Sequence, residues 1–313
     1  MREKLSSIFL SPEISIELFL ELLLLLVLSF TLLQSLYILK NYKGGETTTL
    51  QYSLEKKSYL VSIVISISLS IKILLLVFFV YSLNELSFII PGAMCGAGVI
   101  SSNEYGEPLL TLKLVILLLS SLWLVLNKKD LLEPTSPYLK KKILYFTALY
   151  FFILLEFILS LKFFSSIDTQ SLILCCTSIY TENLDSNPLP FNMTKLQLVS
   201  LFYIVYFMLM YFAYKKQKEF LLFFSFVFLY LSYYALVYYF SAYIYELPTH
   251  KCPFCMLQME YNYIGYFIYA SLFLAVYNTF ILSYNKIILY YSLFIIILIY
   301  PMLSYFIENK ALL

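Results

Sequence analysis

A single histidine, His250, serves the whole chain of 313 residues. Two axial imidazoles cannot come from this chain, so an internal bis-histidine haem site is excluded. The order His250-Lys251-Cys252-Pro253-Phe254-Cys255 also lacks the trailing histidine of covalent haem attachment. No Ser/His/Asp set and no metalloprotease motif can be assembled. Charged residues make up only 13% of the chain, too few to coat a soluble domain of this size. Glycine is held to seven positions, three of them within Gly92–Gly98. That stretch has neither phosphate-loop spacing nor a lysine in register, which excludes nucleotide binding there. The lysine-bearing loops are too short for an ATPase domain. The first apolar run is too long for a signal-peptide core and no small-residue cleavage site follows it, so it is expected to be retained.

What fills the chain instead is apolar. Hydrophobic residues reach 61%, aromatic residues 19%, with 31 tyrosines and 28 phenylalanines, and the mean hydropathy is +0.83. So much apolar surface needs lipid as its solvent. Eight runs reach the roughly 20 residues that a helix needs to cross a bilayer, at about 16–39, 59–82, 109–126, 143–164, 197–214, 220–243, 263–283 and 287–306. Backbone in lipid must satisfy its own hydrogen bonds, so these runs read as helices. The expected fold is an all-α polytopic membrane bundle of about eight helices in one integral membrane domain. Two four-helix parallel halves, 1–164 and 165–313, are its candidate subdivision.

Lysines orient the chain. Lys40, Lys43, Lys56 and Lys57 follow the first run, Lys128, Lys129 and Lys140–Lys142 the third, Lys215, Lys216 and Lys218 the fifth, and Lys286 the seventh. The alternate loops carry almost none. The positive-inside rule makes the lysine-rich loops cytoplasmic. The net charge of +2 is spread over these loops and forms no basic patch, which speaks against nucleic acid as a partner. The expected location is a bacterial cytoplasmic (inner) membrane.

All five cysteines, Cys95, Cys175, Cys176, Cys252 and Cys255, then fall in the three outer loops, where disulfide chemistry is permitted. An odd count leaves at least one outside any stable pair. Cys252-Pro253-Phe254-Cys255 is the strongest motif, since two cysteines at this spacing can close a small disulfide or share a soft metal. His250 and Lys251 add positive potential. A helix starting near Cys252 would further favour its thiolate. Pro91-Gly92-Ala93-Met94-Cys95-Gly96-Ala97-Gly98 is the second candidate, a small-residue loop able to dip back into protein. Pro91 and Cys95 share their spacing with Pro248 and Cys252, and Glu104-Tyr105 and Glu260-Tyr261 trail at nearly equal distances. This hints at duplication. Asn192-Met193-Thr194 matches a glycosylation sequon and reads as chance.

An outward Cys-x-x-Cys with further outer-loop cysteines is similar to the bacterial quinone-linked disulfide-generating proteins and to the vitamin K epoxide reductase family. Those families are compact bundles of four or five helices, and the likeness covers only the loop residues. It implies thiol–disulfide exchange, with Cys252 as attacking thiol and Cys255 as resolving partner. Cys95, with Cys175 or Cys176, would relay electrons to or from a thioredoxin-like partner, with a membrane quinone as the candidate far-end acceptor. Cys252-Pro253-Phe254-Cys255-Met256 also resembles the Cys-Pro-x-Cys-x-Met signature of a copper chaperone for nitrous oxide reductase, with the methionine one position early. That likeness implies a Cu(I) site on Cys252, Cys255, Met256, His250 and Cys95, with Met94 and Met259 nearby. Exchange is the leading expectation and metal handling the alternative. The third is a structural subunit whose disulfides tie loops together.

Few charges interrupt the spans. Lys72 and Glu156 match in depth and are expected to pair, with the lining of a proton or ion path as the alternative. Glu21, Lys113 and Lys162 lie nearer the ends and are expected to snorkel.

Overall fold

The computed structural model describes residues 9, 11–42, 48–133, 136–168, 189–247 and 250–309. Among them all regular structure is helical, and eight helices are long and apolar enough to cross a membrane. In chain order these are α1 (Pro12–Asn41), α2 (Thr49–Ser87), α4 (Gly106–Leu131), α5 (Leu139–Ser165), α6 (Lys195–Tyr214), α7 (Lys218–Ile244), α8 (Ile264–Ile281) and α9 (Tyr284–Asn309), with a short α3 (Gly96–Ile100) between α2 and α4.

Each of the eight runs seen in the sequence becomes one helix. The largest departure is α2, whose 39 residues extend roughly 58 Å. Its first ten residues are mostly polar and fall outside the apolar run. They are helical because the Thr48 side chain accepts from the Gln51 amide at 3.3 Å and because Gln51 and Leu54 are buried. Several hydroxyls inside the spans are satisfied locally: Ser35, Ser62, Ser121 and Thr279 each donate to the carbonyl four residues back, as helix geometry in lipid allows. Thr194 of the sequon caps α6 in a reciprocal pair with Gln197.

The chain divides into two compact units. Unit 1 is Met1–Pro91 with Val99–Ile173, and unit 2 is Gly92–Gly98 with Leu174–Leu313. In unit 1, α1 packs on α2, α2 on α4, α4 on α5, and α5 back on α1. In unit 2, α6 packs on α7, α7 on α8, α8 on α9, and α9 back on α6. Each unit is thus a closed ring of four helices around its own apolar core. About one third of each spanning window is buried. Outward side chains such as Phe30, Leu74, Phe207 and Phe223 are mostly exposed, as lipid contact requires.

The expected pair of span charges forms. Lys72 Nζ lies 2.9 Å from Glu156 Oε2, with both side chains buried. Glu21 and Lys113 do not snorkel. Their side chains are 0% and 3% exposed and they bind each other directly. Their positions near helix ends suggested escape to water, but each helix begins a few residues earlier than hydropathy indicates, and the bundle interior supplies partners. Lys162 is exposed, its ammonium 5.8 Å from the centre of the Tyr105 ring.

Candidate sulfur site

The connection from α7 to α8 carries the site. The end of α7 is widened by a π-turn over Leu236–Phe240, a feature frequent at functional positions. After Tyr245 the chain enters two 3₁₀ turns, Cys255–Leu257 and Met259–Tyr261. Asn262 and Tyr263, at φ 52° and 54°, reverse it into α8.

One phenol holds this connection together. Tyr245 OH donates to the carbonyl of Cys252 and accepts from the amide of Met256 at 3.0 Å. It thereby brackets the whole Cys252–Cys255 turn. Burial, then the nearby Cys255 and Cys252 sulfurs, push this phenol far above its ordinary pKa, so it stays a donor. Tyr269 OH adds a bond to Pro253 O at 2.8 Å. Gly265 sits where a Cβ would come within 2.7 Å of Met256 Cγ and 2.9 Å of Met256 O, so the turn rests directly on the start of α8.

The third sulfur comes from the 92–98 segment. Gly92 takes φ 82°, a conformation natural only to glycine. Gln258 Nε2 donates to Met94 O at 2.8 Å and fixes the segment to the turn. Cys95 Sγ then lies 3.6 Å from Cys252 Sγ. The sulfurs of Cys95, Cys252 and Cys255 all fall within 4.8 Å of one another. None of the three is in a disulfide. They are 0%, 4% and 3% exposed and belong to the apolar core of unit 2.

The Cys252 thiol is held well below its ordinary pKa. Hydrogen bonding from Cys255 is the largest cause, followed by Cys95; burial opposes it, and His250 and the Phe254 amide assist. The dipole expected from a helix starting at Cys252 is not the cause, because α8 begins only at Ile264. His250 lies against Tyr245, ring centres 4.2 Å apart and planes tilted by 39°, and its Nε2 is buried without a hydrogen-bond partner. Lys251 does not face the sulfurs as a bare charge. Its ammonium lies 5.2 Å from the centre of the Tyr238 ring.

The structure therefore brings together three of the five cysteines, with His250 beside them. Met256 is fully buried in the same core, whereas Met94 and Met259 are 67% and 76% exposed, so those two side chains point away. Cys175, Cys176 and Pro248 lie outside the described residues. Sequence reading missed Tyr245, Gln258 and Tyr269, the three side chains that hold the loops in register. Nothing marks Tyr245 among 31 tyrosines except its place at the end of a span, seven residues before Cys252.

The donor set fits a soft metal. Thiolates at about 2.3 Å from a tetrahedral ion would stand about 3.8 Å apart, close to the observed Cys95–Cys252 spacing. Cys95, Cys252 and Cys255 would hold such an ion.

No family model, no curated protein and no solved structure matches this chain.

Proposed function

We propose that this chain is a multipass membrane protein that handles a soft metal ion, Cu(I) foremost, at the Cys95/Cys252/Cys255 site. The carrying observation is the convergence of three buried sulfurs, within 4.8 Å of one another and in no disulfide. Thiolate and thioether donors favour soft ions, with Cu(I) and Zn(II) the foremost candidates and a thioether contribution favouring Cu(I). A depressed Cys252 thiol supplies the deprotonated ligand that metal binding requires. The lysine asymmetry supports placing this face outside the cytoplasm.

Thiol–disulfide exchange is the second reading, favoured by the 3.6 Å approach of Cys95 to Cys252, which suits passage of a disulfide between them. It ranks lower because exchange with a soluble thioredoxin-like partner needs an accessible sulfur, and all three are buried. A quinone acceptor belongs to this second reading only.

Differential alkylation of native membranes separates the two. In the metal reading the three cysteines react after chelation and become protected when Cu(I) is restored. In the exchange reading Cys252 and Cys255 are found partly oxidised, shift with mild reductant, and Cys255→Ser traps a mixed disulfide. The second pattern without copper protection overturns the proposal.

A further inference from the structure

Unit 1 carries a separate constellation inside its helical ring. Glu17 and Glu21 of α1, Lys72 of α2, Lys113 of α4 and Glu156 of α5 meet with every residue at most 7% exposed. Lys113 Nζ reaches Glu21 Oε1 at 2.5 Å, Glu156 Oε1 at 2.8 Å and Glu17 Oε1 at 3.5 Å. Lys72 Nζ reaches Glu156 Oε2 at 2.9 Å and Glu21 Oε1 at 3.2 Å. Three carboxylates thus face two ammoniums, leaving one formal negative charge. An uncompensated charge at this depth is costly enough that the site must take up a counter-charge.

The contacts single out which carboxylate carries the excess. Glu21 and Glu156 each touch both lysines. Glu17 touches only Lys113, at the longest distance of the set; its Oε2 is buried without a hydrogen-bond partner, as is that of Glu21, so it is the contact pattern that sets Glu17 apart. Independently, Ser120 lines a narrow cleft of about 10 Å³ together with Lys72, Lys113 and Glu156. Ser120 is 0% exposed and its Oγ has no hydrogen-bond partner. A metal cation would have to sit beside two ammoniums, which repel it; a proton on a carboxyl oxygen would not.

Glu13, Glu17 and Glu21 recur every four residues, which puts them on one helix face about 6 Å apart. Glu13 lines a cavity of about 240 Å³ with Ser82 and Glu85 of α2 and with Ile14. The charged groups around Glu17 are therefore Glu13 and Glu21 on its own helix, Lys72 and Glu85 on α2, Lys113 on α4 and Glu156 on α5.

We propose that Glu17 is the proton-binding carboxyl of an intramembrane site, loaded and emptied through the Glu13/Glu85 cavity. One O–H bond forms and breaks on Glu17. The proton comes from water at that cavity and returns to it, and no electron moves. With the proton bound the five groups are neutral as a set; without it they carry one negative charge, which would couple the packing of α1 to proton availability.

Infrared difference spectroscopy on the full-length protein in lipid nanodiscs, titrated with pH, tests this. Wild type should show a protonated-carboxyl band that shifts in D₂O and is lost at high pH. Glu17→Gln should lack that band and melt no lower than wild type at neutral pH, because glutamine reproduces the neutral side chain. Glu13→Gln should keep the band and respond more slowly to a pH jump. Glu21→Gln, which strips a carboxylate from between two ammoniums, should lower the melting temperature. A band that survives in Glu17→Gln, or a Glu17→Gln chain that fails to fold, overturns the proposal. Loss of the wild-type band on adding sodium at fixed pH also overturns it, assigning the site to a cation. An unchanged response rate in Glu13→Gln overturns the access route.

Discussion

The sulfurs of Cys95 and Cys252 lie 3.6 Å apart although 157 positions separate them in sequence. That spacing is too long for a covalent S–S bond of about 2.05 Å and slightly shorter than the separation of two thiolates on one metal ion. Neither residue reaches this position by local structure. Cys95 is carried there by a glycine turn at Gly92 and by Gln258 gripping the Met94 carbonyl. Cys252 is held by the Tyr245 hydroxyl.

Tyr245→Phe removes both bonds that bracket the cysteine turn. It leaves the Met256 amide and the Cys252 carbonyl to find other partners inside the core. Cu(I) affinity, read by competition with a chromophoric chelator, should fall about 10- to 100-fold, as for loss of a supporting shell. Unchanged affinity would show that the ring packing alone orders the turn.

The depressed Cys252 thiol has a pH signature. In the folded chain it is deprotonated where the unfolded chain still holds its proton. The unfolded state therefore binds more protons, and this group adds stability as pH rises. Its contribution is complete above the unfolded thiol value of about 8.5 and is lost as pH falls toward the folded value. Metal-free wild type and Cys252→Ser should differ in the slope of stability against pH by up to about 1.4 kcal/mol per unit between neutral and mildly alkaline pH. Parallel curves would contradict a folded-state thiolate.

Gly265→Ala places a methyl where Met256 Cγ, Leu257 Cδ2 and Met256 O already stand within 3 Å. Overpacking of this kind costs about 1–3 kcal/mol. The melting temperature should drop, and the alkylation rate of Cys255 should rise as the 3₁₀ turn lifts from α8. A melting curve identical to wild type would mean the turn moves freely.

How much of this the sequence carried depends on the range of each interaction. The spans were legible because an apolar run of bilayer length has one solution in lipid. The polar start of α2 was hidden, since its helix rests on Thr48 and Gln51. Lys72 and Glu156 could be paired by depth, because two isolated charges at equal depth have few other partners. Glu21 and Lys113 were misread as end residues able to reach water, and Glu17 was not noticed, although its spacing from Glu13 and Glu21 was in plain view. That Cys95 would join Cys252 and Cys255 was suggested only by a shared loop pattern. The contact between them is set by side chains from both loops, which no local periodicity reports.

Lys113→Met leaves Glu17, Glu21 and Glu156 buried around Lys72 alone. Removing one partner of a buried ionic set costs about 3–5 kcal/mol. The variant should show a large loss of thermal stability in detergent. Glu17→Gln in the same background should recover part of it. No recovery would mean that the lysine acts through packing, such as its 4.3 Å approach to the Phe79 ring.

The measurement that bears most directly on the sulfur site is a Cu(I) titration of the purified, reduced protein, followed by X-ray absorption at the copper edge. One ion per chain should bind, with three sulfur neighbours at about 2.3 Å. Replacing any one of Cys95, Cys252 and Cys255 with serine should lower the sulfur count by one and weaken binding. A chain that binds no copper while Cys252 and Cys255 form a readily reversible disulfide would contradict metal handling and leave thiol exchange as the function of the site.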